Sequence, residues 1–296
     1  MTRPQTSVLF EVPGPRARRV TLIGSAAATL VILAAAYQLL YRPLAEKGQL
    51  SLQMWGPLVD PANEYFAQVW QRLGQGAANT LIAAALAILG SLAGGTLLAV
   101  LRMQLKALQR RQFAGLARPV ALFLRVLSRV LAAVTRGCVE VFRGLPVVIT
   151  IFLAGRGLPE LGVSFSLDLW YVVIGLTVYN MVVIAEILRS GMEGLSGGQG
   201  EASAALGLST LQTTWTILLP QSFRIMLPAL IGQLVVVLKD TSLGFIVSYE
   251  ESMVIAKQII GNLGNPIQVY LVVGAGFIAV NYVLSKLALY VQRRAS

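Results

Sequence analysis

The chain has 296 residues, 56% of them hydrophobic and only 12% charged, with a mean hydropathy of +0.70, which excludes an ordinary soluble domain and requires a polytopic helical membrane protein. Its net charge of +11 would suggest nucleic acid in a soluble protein, but Lys and Arg collect on the cytoplasmic loops of membrane proteins, and no interleaved basic and aromatic patch of the kind that grips bases is present. The single cysteine, Cys138, forbids an internal disulfide, and the absence of His removes the commonest metal ligand and general base, so zinc chemistry and Ser-His-Asp catalysis are excluded.

Residues 1 to 19 carry Arg3, Arg16, Arg18 and Arg19 among prolines 4, 13 and 15 and read as a basic cytoplasmic tail. Residues 20 to 41 contain no charge and are long enough for one span. A signal peptide ending near Ala34-Ala35-Ala36 is the alternative, but the apolar run exceeds the usual signal core, so a retained anchor is expected. Residues 42 to 72 form a polar connection whose Trp55, Tyr65, Phe66 and Trp70 suit the outer interface. The second span, about 76 to 101, holds Gly90 and Gly94, a small-xxx-small pair that lets helices approach closely. Arg102, Lys106, Arg110, Arg111 and Arg118 then place the following loop inside.

Over 119 to 143, Arg125, Arg129 and Arg136 share one helix face, so this helix should begin in the cytoplasmic interface with its arginines snorkelling and enter the membrane from about 140 to 155. A short outer loop, 156 to 168, leads to a fourth span over about 169 to 190. A fifth span is expected over about 223 to 247, then an outer segment with Glu250, Glu251 and Lys257, and a sixth span over about 268 to 291. The Lys and Arg asymmetry puts both termini inside.

Between the fourth and fifth spans lies a patterned stretch, Gly200 to Pro220. Glu201, Ala202, Ala204, Ala205 and Leu206 favour a helix, Gly207 stops it, and Ser209 with Gln212 has the form of a capping box that opens a second helix. Leu211, Trp215, Leu218 and Leu219 follow, until Pro220 ends or kinks that helix. The result is a helix-turn-helix elbow; an ordinary solvated hairpin is the plainer alternative. The glycines at 191, 194, 197, 198 and 200 lack the GxxxxGK[ST] phosphate cradle, so this chain should not bind ATP itself.

Ionisable groups inside spans are costly and therefore informative. Glu186 and Arg189, and likewise Glu140 and Arg143, are three residues apart and could be local pairs or part of a pathway, the second pair leaning to a structural role that influences gating. Lys239, Asp240, Thr241 and Ser242 follow an apolar run and either line a cavity or sit at a helix break. With Asn180 they form the candidate set for a polar, zwitterionic substrate.

Glu201-Ala202-Ser203, then Gly207, then Ile217-x-Leu219-Pro220, resembles the EAA loop of ABC importer permeases, whose pattern is EAA, three residues, G, nine residues, I-x-LP; only Ser203 departs, small for small. Glu140-Val141-Phe142-Arg143-Gly144-Leu145-Pro146, Ala185-Glu186-Ile187-Leu188-Arg189-Ser190-Gly191, Gly198-Gln199-Gly200-Glu201-Ala202, Leu219-Pro220-Gln221 and Lys239-Asp240-Thr241-Ser242-Leu243 narrow the resemblance to the polar amino acid subfamily, over roughly residues 76 to 290.

The resemblance implies an all-α, type I ABC importer-like fold, with a five-helix permease domain over 73 to 296, a coupling loop at about 196 to 220, and the first span as an addition. It implies a transport subunit in the cytoplasmic membrane, not an enzyme, for amino acids of the glutamate, glutamine, arginine or histidine kind. Glu201, Ala202, Ser203, Gly207, Ile217, Leu219 and Pro220 would couple it to a pair of ATP-binding cassette subunits that hold ATP and Mg, this chain binding no cofactor or metal. A second permease, identical or similar, and an extracytoplasmic substrate-binding protein complete the implied assembly. A membrane scaffold or signalling receptor docking another cytoplasmic protein is the alternative from a different class.

Overall fold

The computed structural model describes residues 14–110, 117–195 and 197–295, and every regular element among them is helical. Five helices are long and apolar enough to cross a membrane, and a sharply bent pair makes a sixth crossing if it is counted as one. This agrees with about six spans.

Helix α1 (Pro15–Ala36) runs through one wider, π-helical turn at Tyr37–Tyr41 into the short α2 (Arg42–Glu46). It starts on Pro15, whose fixed φ suits a first helical position, so Arg16, Arg18 and Arg19 belong to its first turns and not to a tail ending at 19. Residues 1–13, with Arg3, lie outside the described residues. The span is buried nowhere and stands apart from the rest of the chain.

After α3 (Leu52–Val59), α4 (Phe66–Arg110) continues for 45 residues, about 68 Å, well beyond the roughly 30 Å of hydrocarbon and beyond the expected 76 to 101. Gln68, Arg72, Gln104 and Lys106, all good helix formers, carry it past both boundaries. It runs parallel to α8 (Leu169–Glu193): Gly90 lies against Thr177 and Gly94 against Met181, the close approach expected of the small pair. Helix α11 (Leu219–Asp240) returns antiparallel on α8, where Ser222 Oγ donates to the Leu188 carbonyl (2.8 Å) and Gln233 to Asn180 (2.6 Å). Ala99, Val100, Ile184, Leu188, Met192, Leu219 and Leu230 fill the space between these three helices.

Helices α5 (Arg118–Gly144) and α6 (Val147–Phe152) do not form the single helix expected to run from the interface into the membrane. They meet at a 106° bend. Leu145 is extended (ψ 141°) because the ring of Pro146 disfavours helix in the residue before it. The two parts therefore cannot both stand along the membrane normal. Helix α6 passes through a π-helical turn into α7 (Leu158–Glu160) and packs on α8, with Thr150 Oγ1 donating to the Gly175 carbonyl (3.0 Å).

The connection expected after the fifth span is itself structured. Helix α12 (Ser252–Leu263) packs beside α4 and leads to α13 (Pro266–Ala295). Glu251 is fully buried and caps α12, its carboxylate accepting from the amides of Met253 (2.8 Å) and Val254 (3.0 Å). Burial pushes its pKa up to about 7 from an ordinary 4.5, against the opposing pull of these amides and Lys257. A raised carboxylate pKa means that the folded chain holds this proton more tightly than the unfolded one. Its contribution to stability is therefore full below pH 4.5 and lost as pH rises through 7, with a ceiling of about 3 kcal/mol. The unfolding midpoint of the purified chain should fall from pH 5 to pH 8, and Glu251→Gln should flatten that slope; equal slopes in the two proteins would exclude Glu251 as its source.

Candidate functional site

The elbow forms as the sequence predicts. Helix α9 (Gly197–Ala205) ends at Gly207, which takes φ 75°, while the Leu208 and Gly207 amides donate to the Ser203 and Ala204 carbonyls (both 3.0 Å), the pair of bonds that closes a helix on a left-handed glycine. Ser209 then opens α10 (Thr210–Thr213): its Oγ accepts from the Gln212 amide (3.3 Å), and Gln212 Oε1 accepts from the Ser209 amide (2.8 Å). Residue 196, at the start of the elbow, lies outside the described residues.

Pro220 does not end the second helix. A π-helical turn at Thr214–Leu218 joins α10 to α11, and the Leu219 amide reaches back to the Thr214 carbonyl. The wider turn places the proline at the second position of α11, where its missing N–H leaves no helical bond unmade.

Half-buried polar contacts tie the elbow to the bundle. Gln199 and Gln221 exchange amide hydrogen bonds (2.8 and 2.7 Å), and Gln104 Nε2 donates to Thr214 Oγ1 (3.0 Å), while within α9 the Ser203 hydroxyl donates to the Gln199 carbonyl. Ser203 and Leu219 face the body and Ile217 is half-buried, whereas Glu201, Ala202, Gly207 and Pro220 stay exposed. Leu206, Leu211 and Trp215 are exposed beside them, Leu206 by 79%. An elbow that exposes a carboxylate together with uncovered apolar side chains is suited to docking another protein. A cavity of about 620 Å³ lies between the elbow and the adjoining ends of α4 and α8.

At this end of the bundle the charges of α4 and α8 interlock. Glu186 is held by Arg189, whose Nε donates to Oε2 (3.0 Å), and by Arg102 (2.6 Å); Arg189 also reaches Glu193 (2.6 Å), which Lys106 holds from the other side (2.7 Å). The local Glu186–Arg189 pair is thus real but is only the middle of a five-residue chain. Glu193, four residues after Arg189 on the same face, is the signal in the sequence that extends it. Arg102 and Lys106, on another helix, could not be read from spacing.

The candidate pathway residues do not form one cluster. Asn180 is buried, and its amide is taken up by the Leu176 carbonyl (2.8 Å) and Gln233. Lys239 and Asp240 sit at a helix break, where α11 tightens into a 3₁₀ turn over Thr241–Val247. Thr241 and Ser242 spend their hydroxyls on the carbonyls of Leu238 (2.6 Å) and Lys239 (2.8 Å). Lys239 is exposed and Asp240 half-buried, and neither makes an ion pair among the described residues. With α8 and α11 antiparallel and Asn180 opposite Gln233, Glu186 and Asp240 lie about 20 Å apart along the bundle. Glu140 and Arg143 do not form the expected structural pair: both are exposed on α5, where water competes with a contact that spacing permits but nothing enforces.

Residues 114–296 match the family model described as "Binding-protein-dependent transport system inner membrane component". The chain is 35% identical over 254 residues to the glutamate transport system permease protein GluD of Corynebacterium glutamicum, covering 85% of this chain and 83% of that one. It is 34% identical over 163 residues to the probable glutamine ABC transporter permease protein GlnP of Bacillus subtilis, covering 54% of this chain and 72% of that one. Among solved structures, the fold is similar to a chain of "an amino acid ABC transporter with histidines", with a TM-score of 0.60 at 21% identity over 77% of this chain and 96% of that one.

Proposed function

Because the chain belongs to the inner membrane permeases of binding-protein-dependent ABC importers, in the polar amino acid subfamily, we propose that it passes a polar amino acid inward, driven by a separate ATPase docked on the elbow. The observation that carries this reading is the elbow's outer face, where Glu201, Ala202 and Gly207 are exposed beside uncovered Leu206, Leu211 and Trp215. The elbow is fastened to the span bundle through the Gln199–Gln221 and Gln104–Thr214 bonds, so force applied there reaches α4 and α11. ATP and Mg belong to the ATPase pair. An extracytoplasmic binding protein feeds the opposite end, and a second permease, identical or similar, completes the path. In this arrangement the elbow and both termini face the cytoplasm. The relatives named for glutamate and glutamine direct the substrate to that chemical class. The test is reconstitution with the cognate ATPase and binding protein: amino acids of that class should stimulate ATP hydrolysis, and hydrolysis indifferent to every amino acid would reject the reading.

Within the path, Lys239 and Asp240 have the strongest claim to the substrate. Asn180 and Glu186 are satisfied inside the chain, whereas an unpaired charge within a span costs at least ~2.5 kcal/mol and requires water, a ligand or a second subunit. Asp240→Asn should lower transport per molecule or change the preferred amino acid at unchanged abundance. Reduced abundance with a normal rate per molecule would remove Asp240 from the path.

A further inference from the structure

A second cavity, of about 330 Å³, opens between α4, α5 and α8 at the elbow end of the bundle, and the transport reading gives it no task. Its wall holds Arg102, Lys106, Arg136 and Arg189 against a single carboxylate, Glu193. Glu186 behind the wall brings the local sum to four positive and two negative charges, a net +2. Arg102 and Arg189 are fixed by Glu186, so their guanidinium groups are already ordered. Arg136 has no ion pair among the described residues, although it faces the same space. Excess cations in a partly enclosed wall repel one another, and an anion relieves that repulsion.

The helix that supplies Arg136 indicates which anion. On α5, Arg118, Arg125, Arg129, Arg136 and Arg143 recur at intervals of seven, four, seven and seven, which keeps them within about 40° of one line along the helix. Phe123, Val130 and Val134 lie roughly opposite that line and are exposed by 64%, 51% and 57%. A helix of this kind places its apolar side among acyl chains and its basic side at the headgroups. The cavity wall also includes Leu105 and Ala132, so apolar and cationic surfaces meet there.

We propose that this cavity holds the phosphodiester headgroup of an anionic lipid from the leaflet on the elbow side, with Arg136 as its adaptable cation and Arg102, Arg189 and Lys106, held by Glu186 and Glu193, as fixed ones. Arginine suits the task because its planar fork can contact two phosphate oxygens at once. Basic hollows between spans at a membrane surface are a recurrent way of holding such headgroups.

The test is native mass spectrometry of the full chain in mixed micelles of phosphatidylglycerol and phosphatidylethanolamine, with the unfolding midpoint measured alongside. The wild-type chain should retain phosphatidylglycerol preferentially. R136Q and K106Q should each lower that preference about fivefold, and the pair about 25-fold, since each basic residue near an anionic lipid surface supplies ~1 kcal/mol. R136K, which keeps the charge but loses the fork, should keep only part of the preference, whereas R224Q, which removes an exposed charge from α11, should keep it in full. Equal retention of the two lipids by the wild type, or an unchanged preference in the double variant at a normal midpoint, overturns the proposal. Millimolar inorganic phosphate that protects the lipid-free chain as well as phosphatidylglycerol does would assign the cavity to free phosphate and overturn the headgroup equally.

Discussion

Replacing Gly207 with leucine should reduce substrate-stimulated ATP hydrolysis and transport in the reconstituted complex about tenfold or more, with the amount of chain in the membrane unchanged. Gly207 holds φ 75°, where a residue with a Cβ costs roughly 1–2 kcal/mol, and ~1.4 kcal/mol is already a factor of ten. A Cβ built there meets nothing within 4 Å in this chain, so the body of the permease has no reason to refuse the side chain. The damage falls on the shape of the elbow and on whatever docks there. Gly207→Asn separates the two effects, because asparagine tolerates the left-handed conformation: recovery would assign the loss to backbone strain, and continued failure to an obstructed surface. Wild-type coupling in the leucine variant would end the docking role of this turn.

The other large effect is expected at Gly175, where valine should remove most of the folded protein from the membrane. A Cβ at this position would lie 2.5 Å from the Ile151 Cα and 2.8 Å from its nitrogen, both backbone atoms of α6 that cannot rotate aside. Ile151 is fully buried, and the bond from Thr150 to the Gly175 carbonyl fixes the same contact. Separating the helices should cost about 3 kcal/mol or more, the upper range for overpacking. Gly232 on α11 is the comparison: a Cβ there meets nothing, so Gly232→Ala should leave abundance unchanged. Size-exclusion profiles of the two variants extracted from equal membranes give the answer, and a normal yield of the valine variant would show that α6 can be displaced.

The elbow was readable because its signals are local. Ser209 and Gln212 three residues apart, and a glycine after a run of helix formers, specify a cap and a stop whatever surrounds them. Hydropathy likewise located the spans, since a long apolar run has few alternatives to a membrane helix. Sequence reasoning fell short where geometry depends on distant residues. The bend at Pro146 was encoded in the proline, but its 106° is set by where α6 packs on α8. Pro220 looked like a stop because the rule assumes an α-helix, and the π-helical turn before it escapes the rule. Glu251 read as one of the charged residues of an outer segment; the fold buries it, with Gly244 of the 3₁₀ turn lying against its side chain. Glu186 found its partners at Arg102 as well as Arg189, 84 residues away on a helix that runs parallel. Lys239 and Asp240 were expected either to line a cavity or to sit at a helix break; they sit where α11 tightens into the 3₁₀ turn, and which of them faces water depended on the fold.

The uninterrupted passage from α10 through the π-helical turn into α11 has a mechanical meaning. Thr210–Val247 is a continuous helical stretch of 38 residues, about 57 Å long, with one end in the elbow and with Lys239 and Asp240 where its last seven residues tighten into the 3₁₀ turn. A tilt of about 5° imposed at the elbow moves the far end by about 5 Å on that length, close to one helical turn. Pro228, lacking an N–H partway along, is the point where such a rod flexes first. The proline that was expected to end or kink the second helix therefore sits inside the shaft, and the softer joint lies eight residues further on, nearer the middle of the lever.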